Sequence, residues 1–168
     1  TKAPNQDYAL FQHGIILGLQ GDKEGKLSTL KSVVEKFPES NYADDVAFEI
    51  PYQYFTSGDY DTAIAGLHSM IQRYPRSSYV PRALMTIGLV QYNKNDNEAA
   101  MATFQRVVKD YSKTSEASQA LLSIESIYLD AGDATGYIQY ATGTNITDLS
   151  EAEQDNLAFQ AARTLFSR

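Results

Sequence analysis

Lys36-Phe37-Pro38-Glu39-Ser40 recurs 37 residues later as Arg73-Tyr74-Pro75-Arg76-Ser77, and more weakly after another 37 as Asp110-Tyr111-Ser112-Lys113-Thr114. A second tag keeps the same interval: Gly21-Asp22, Gly58-Asp59, Asn95-Asp96 and Gly132-Asp133. A fixed period of roughly 20–50 residues marks stacked units that each bury an apolar face against the next, rather than one globular core.

Set in register, the copies share apolar slots at helical spacing. The first helix of each unit carries Leu10, Ala47, Leu84 and Leu121 in one slot, and His13, Ile50, Ile87 and Ile124 three residues on. A third slot reads Leu17, Tyr54, Gln91 and Tyr128. A small-residue slot holds Gly14 and Gly88 but is broken by Pro51 and Glu125. The second helix starts after the Gly-Asp tag. The aspartate suits an N-cap, because its carboxylate accepts from free backbone N–H groups, and the glycine suits the left-handed residue that ends the helix before it. Lys26, Ala63, Ala100 and Tyr137 share a slot there, followed by Leu27/Ile64/Met101, Leu30/Leu67/Phe104 and Val33/Met70/Val107. Phe37, Tyr74 or Tyr111 closes the unit. The proline that follows in two copies stops the helix, having no N–H and a ring that clashes with the preceding turn.

The spacing predicts helix pairs over 5–20 with 23–37, 41–57 with 60–74, 78–94 with 97–111, and 115–131 with a shorter partner at 134–141. A loop at 142–149 follows, and then a last helix to about Phe166, opened by an S-x-x-E capping box of Ser150 and Glu153. That helix looks like the first half of a further unit. The expected organisation is one array over 1–168, with repeats at about 5–40, 41–77, 78–114 and 115–141 and a part-repeat at 150–168. Pro51 is expected to bend its helix or free the carbonyl of Ala47.

Composition narrows the function. The chain has 168 residues, 43% of them hydrophobic, enough for a buried interior. Its longest apolar run, Ile15-Ile16-Leu17-Gly18-Leu19, is too short to span a bilayer, and the reading expects no secretory leader at Thr1. With 14 basic residues against 21 acidic ones and a net charge of −7, no basic stripe offers itself to phosphate backbones or anionic lipid. The absence of cysteine removes disulfides, thiol catalysis and thiolate metal sites.

Candidate chemical sites are weak. His13, in the slot held elsewhere by isoleucine, is expected to be partly buried, and His68 to face outward; neither has a partner at metal-ligand spacing. Asp59-Tyr60-Asp61 lacks the glycine and distal glutamate of a calcium loop. Asp148, Glu151, Glu153 and Asp155 gather at a helix start, where negative charge complements the macrodipole. Gly14, Gly18 and Gly21 follow no strand, which disfavours a phosphate-cradling loop, and Gly14 and Gly18 suit close helix crossing. Asn145-Ile146-Thr147 fits a glycosylation sequon, and nothing marks any serine as a nucleophile with an adjacent base. No cofactor or metal is expected.

These slots resemble the tetratricopeptide repeat. The third copy carries the resemblance in Leu84, Ile87-Gly88, Ala100, Phe104 and Val107, and the second in Ala47, Ile50, Tyr54, Gly58, Ala63, Leu67 and Pro75. It covers about 5–135 well and 136–168 loosely. The period departs from the family's usual 34, the extra residues falling in the Phe/Tyr-Pro-x-Ser-x-Tyr linker. That linker is similar to those of envelope-associated members in Gram-negative bacteria, such as outer-membrane assembly lipoproteins and Tol–Pal-linked proteins, and the final segment is similar to long members from Bacteroidetes. A periplasmic or outer-membrane-associated setting is therefore expected.

The resemblance implies an all-α, right-handed α-α superhelix of helix pairs, with a concave side lined by the first helix of each pair. Carried over residue by residue, that side takes Tyr8, Phe11, Ile15 and Leu19 from the first copy, and Asp45, Phe48, Tyr52, Phe55 and Thr56 from the second. The third gives Arg82, Met85, Leu89, Tyr92 and Asn93, and the fourth Gln119, Leu122, Ser126 and Leu129. Residues three and four apart share one helical stripe, and exposed Tyr, Phe, Met and Arg are the types that anchor interfaces. The expected function is a non-catalytic scaffold whose groove, formed by Phe48, Tyr52, Phe55, Arg82, Met85, Leu89, Tyr92 and Asn93, binds a peptide segment or helix of a partner protein. Nucleic acid and direct membrane insertion are not expected. The alternatives are a structural spacer whose inner stripe is covered within a longer protein, and a hydrolase, for which the chain lacks a nucleophile–base pair.

Overall fold

A computed structural model describes residues 5–144 and 149–166. Among them lie nine α-helices and no strand: α1 (Gln6–Leu19), α2 (Lys23–Lys36), α3 (Ala43–Thr56), α4 (Tyr60–Arg73), α5 (Val80–Asn93), α6 (Asn97–Asp110), α7 (Ser115–Ala131), α8 (Ala134–Thr144) and α9 (Glu151–Phe166). The helices group into two compact units, one up to Thr86 and one from Ile87, with the division inside α5. The sequon at Asn145 and the acidic Asp148 lie outside the described residues.

Local chemistry sets the helix ends. Asp22, Asp59, Asp96 and Asp133 each accept the backbone N–H three residues on, from Gly25 (2.8 Å), Thr62 (3.2 Å), Ala99 (3.2 Å) and Gly136 (2.9 Å). Before each cap the chain turns through the left-handed region, at Gly21, Gly58 and Gly132 and, in the third copy, at Asn95 with φ of 60°. Asparagine substitutes there because it tolerates that conformation better than other side chains. The Ser150–Glu153 box forms, Ser150 N–H donating to Glu153 Oε2 at 2.8 Å. α8 runs to Thr144, three residues beyond its expected end.

In the first unit, α1 packs on α2, α2 on α3 and α3 on α4. Phe11, Leu30, Val33 and Val46 form a buried cluster, flanked by Leu10, Ile15, Tyr42 and Ile50. Gly14 lets Leu30 approach: a β-carbon there would lie 2.8 Å from Leu30 Cδ2. In the second copy the small residue has moved to the facing helix. α3 stays one continuous helix through the buried Pro51, and Gly66 on α4 makes room for the proline, whose Cβ would lie 2.6 Å from an added methyl. In the second unit, Gly88 accommodates the fully buried Phe104, while α7 packs on α6, α8 and α9.

The two complete linkers of the first unit are clamped to the helix one repeat earlier. Ser40 Oγ donates to Asp7 Oδ2 at 2.8 Å, and Ser77 Oγ to Asp44 Oδ2 at 2.7 Å. Two residues on, Tyr42 stacks on Phe11 (centroids 5.3 Å apart) and Tyr79 on Phe48 (4.8 Å).

Candidate functional site

The second helix pair and the start of α5 build the richest surface of the first unit. Spacings of three and four along α3 set Asp45, Phe48, Tyr52 and Phe55 on one stripe. Their rings form a ladder: Tyr79 on Phe48, Phe48 on Tyr52 (5.3 Å), Tyr52 against Phe55 (5.7 Å), and Phe55 against Tyr60 (6.0 Å). Arg82, exposed, lays its guanidinium over Tyr52 (4.8 Å to the ring centre) and Phe48 (5.0 Å). A cation over an aromatic face is attracted by the ring quadrupole.

The carboxylates around this ladder are engaged. Tyr79 donates its hydroxyl to Asp45 Oδ1 at 2.9 Å, Asp44 accepts from Ser77, and Glu49 pairs with Lys26 at 2.6 Å. Burial raises the Asp45 carboxyl above its usual range, the Tyr79 bond opposing and Asp44 adding to the shift. Burial, reinforced by the Asp45 carboxylate, pushes the Tyr79 phenol up to about 12. Arg82 has no carboxylate partner among the described residues.

The eight residues expected to line a groove fall into three classes. Phe48 is fully buried and Met85 is 7% exposed, so both lie beneath the surface rather than on it. Phe48 is enclosed with Tyr52 and Tyr79 stacked against its ring, and the Tyr79 contact is invisible until the linker folds back. Tyr52 and Phe55 are half-buried and Arg82 exposed, all in the first unit. Leu89 and Tyr92 are half-buried and Asn93 exposed in the second. There Tyr92 donates its hydroxyl to Asp130 Oδ2 at 3.0 Å, and this bond raises its phenol pKa.

The outer copies of the stripe are mixed. Tyr8 and Leu19 are exposed while Phe11 is buried; in the second unit Leu122 is 63% exposed. His13 is exposed, not partly buried as its isoleucine slot suggested. It borders an open cavity of about 480 Å³ with Gln6, Ala9, Leu10, Lys36 and Phe37, whereas Ile87 and Ile124 in the same slot are buried. His68 is exposed as expected. The sequence reading missed Tyr79 and the stacking of Arg82. The signal was present, since Phe11 and Phe48 share a slot 37 residues apart, as do Tyr42 and Tyr79. Among the described residues no group of acidic and histidine side chains is placed to hold a metal, and no helix is long and apolar enough to cross a membrane.

Comparison with known proteins fits this architecture. The family model described as tetratricopeptide repeat matches residues 8–40, 52–77 and 82–114. No curated protein matches the sequence. Among solved structures, a tetratricopeptide repeat protein from Parabacteroides merdae ATCC 43184 superposes with a TM-score of 0.73 at 11% identity, over 96% of this chain and 60% of that one. This chain thus spans less than two thirds of that neighbour's length. Two structures of MamA superpose with TM-scores of 0.64 and 0.61, at 15% and 16% identity, over 98% of this chain and 90% and 81% of theirs. At these identities the likeness shows the fold alone: all-α, of the superhelical helix-pair class.

Proposed function

The chain belongs to the tetratricopeptide repeat family, and from that premise we propose that its first unit binds a segment of a partner protein on the surface formed by Tyr52, Phe55 and Arg82, with Phe48 and Tyr79 as its floor. Repeats of this family generally mediate protein–protein interaction and are typically non-catalytic; we read this chain as a non-catalytic scaffold. One observation carries the assignment. Arg82 is held over two rings while every neighbouring carboxylate already has a partner. A rigid aromatic base under an unpaired guanidinium suits a peptide that brings an apolar side chain to Tyr52 and Phe55 and an oxygen acceptor to Arg82. Leu89, Tyr92 and Asn93 offer a separate contact on the second unit. The linker's likeness to envelope-associated members supports a periplasmic or outer-membrane-associated setting, which fractionation of the native host would check.

The full burial of Phe48 and near-burial of Met85 favour a second reading, a structural spacer in which the stripe serves packing. Phe55→Ser and Arg82→Ala in the first unit, and Tyr92→Ser in the second, separate the two. Segments captured from host extract would be re-measured as purified peptides. Lost peptide binding at an unchanged melting temperature supports the scaffold; a lowered melting temperature with binding retained supports the spacer.

A further inference from the structure

The linker clamp of the first unit has two halves. Its receiving half is an aspartate and, four residues on, a phenylalanine: Asp7 with Phe11, and Asp44 with Phe48. Its donating half is a serine and, two residues on, a tyrosine: Ser40 with Tyr42, and Ser77 with Tyr79. Each serine hydroxyl reaches the carboxylate and each tyrosine stacks on the phenylalanine. The next two copies lack both halves. Pro81 and Met85, then Ser118 and Leu122, stand in the receiving slots, and Thr114 with Glu116, then Glu151 with Glu153, in the donating ones.

The fifth copy restores the receiving half. Asp155 and Phe159 on α9 stand 111 residues after Asp44 and Phe48, three full periods. Here the half is open. Phe159 is 67% exposed, although Phe48 in the same slot is fully buried. Asp155 is exposed and, among the described residues, has no hydrogen-bond or ion-pair partner. Exposure alone would not set this pair apart, since Leu122 is also 63% exposed. Leu122, however, follows Ser118 where the clamp needs a carboxylate and has no ring to stack on.

We propose that Asp155 and Phe159 form a docking socket for a Ser-x-Tyr segment, carried by a linker of the Pro-x-Ser-x-Tyr kind that leads into a further hairpin packed on α9. The occupant follows from continuity with an interface made twice in this same chain. The serine hydroxyl would donate to Asp155 while its oxygen accepts the N–H of the tyrosine, as Ser77 does with Tyr79 at 3.2 Å, and the tyrosine ring would cover Phe159. This socket lies on the second unit and is independent of the surface around Arg82.

The test adds a synthetic peptide copying residues 73–82 to the isotope-labelled full chain and follows its amide signals by NMR. One ring stack and one charged hydrogen bond make a weak contact, so titration runs to millimolar peptide. Saturable shifts at Asp155 and Phe159 are expected. Binding should weaken about fivefold when the peptide's tyrosine or serine is replaced by alanine, and about fivefold in Phe159→Ala or Asp155→Ala protein. Both positions are exposed, so the variants should melt with the parent, and the peptide replacements leave the protein untouched. No shift on α9 overturns the proposal. So does equal binding by the alanine peptides, or by an apolar peptide lacking Ser-x-Tyr.

Discussion

The linkers at Ser77 and Thr114 occupy the same place in the repeat and are held differently. Ser77, in the first unit, reaches back 33 residues to Asp44, and Tyr79 covers Phe48. Thr114, in the second, bonds locally, its hydroxyl accepting the Ala117 N–H at 3.2 Å to cap α7. The helix crossings differ in the same way. The second copy seats Pro51 on Gly66, whereas the third seats Phe104 on Gly88. Both contrasts show that a repeat tolerates change in a slot when the residue facing it changes too, because stability in such arrays is a sum of neighbour contacts.

The largest test of that comparison is Phe104→Ala. The ring is fully buried against Gly88, and its loss should cost about 3–5 kcal/mol in denaturant unfolding. Gly66→Ala should cost roughly 1–3 kcal/mol, against the usual gain of alanine in a helix, because the methyl meets the rigid Pro51 ring. On a Pro51→Gly background, which removes the Cβ that the methyl meets, Gly66→Ala should lose most of its cost, and additive effects of the two changes would break the idea of a moved small residue. Ser77→Ala should cost about 1 kcal/mol and be coupled to Asp44→Ala in a double-mutant cycle. Thr114→Ala should cost about as much, roughly 1 kcal/mol for a lost cap, but show no coupling to a residue one repeat back.

The smallest effect is read by pH. The folded Tyr79 phenol sits at about 12, above its free value of 10.0, so the stability carried by the neutral phenol is full below pH 10 and is lost as pH rises toward 12. Tyr79→Phe should flatten that alkaline decline. A curve identical to the parent between those limits would mean that neither burial nor the Asp45 bond holds the phenol neutral. Tyr137, raised by burial and the nearby Glu125, should likewise ionise late in a spectroscopic titration.

The positions of the helices were legible because capping and termination are local. Asp59, Gly58 and Pro75 act within a few bonds of their own backbone, and α4 begins and ends where they place it. The candidate surface was legible only in part. Periodicity put Phe48, Tyr52 and Phe55 on one stripe, but the depth of each depends on what folds over it. Phe48 is covered by a tyrosine 31 residues away, which no property of α3 reveals. His13 failed for the same reason: a slot predicts burial only where a neighbouring helix lies against it.

By itself, the sequence determined an all-α stack with a 37-residue period, its caps, its stops and the stripe that each first helix carries, since these follow from backbone hydrogen bonding and the 3.6-residue turn. Tertiary structure alone decided which stripe residues reach solvent and that Arg82 rests on Tyr52 and Phe48. Those outcomes depend on contacts between residues a full repeat apart, and such contacts exist only after the linkers have folded back onto their helices.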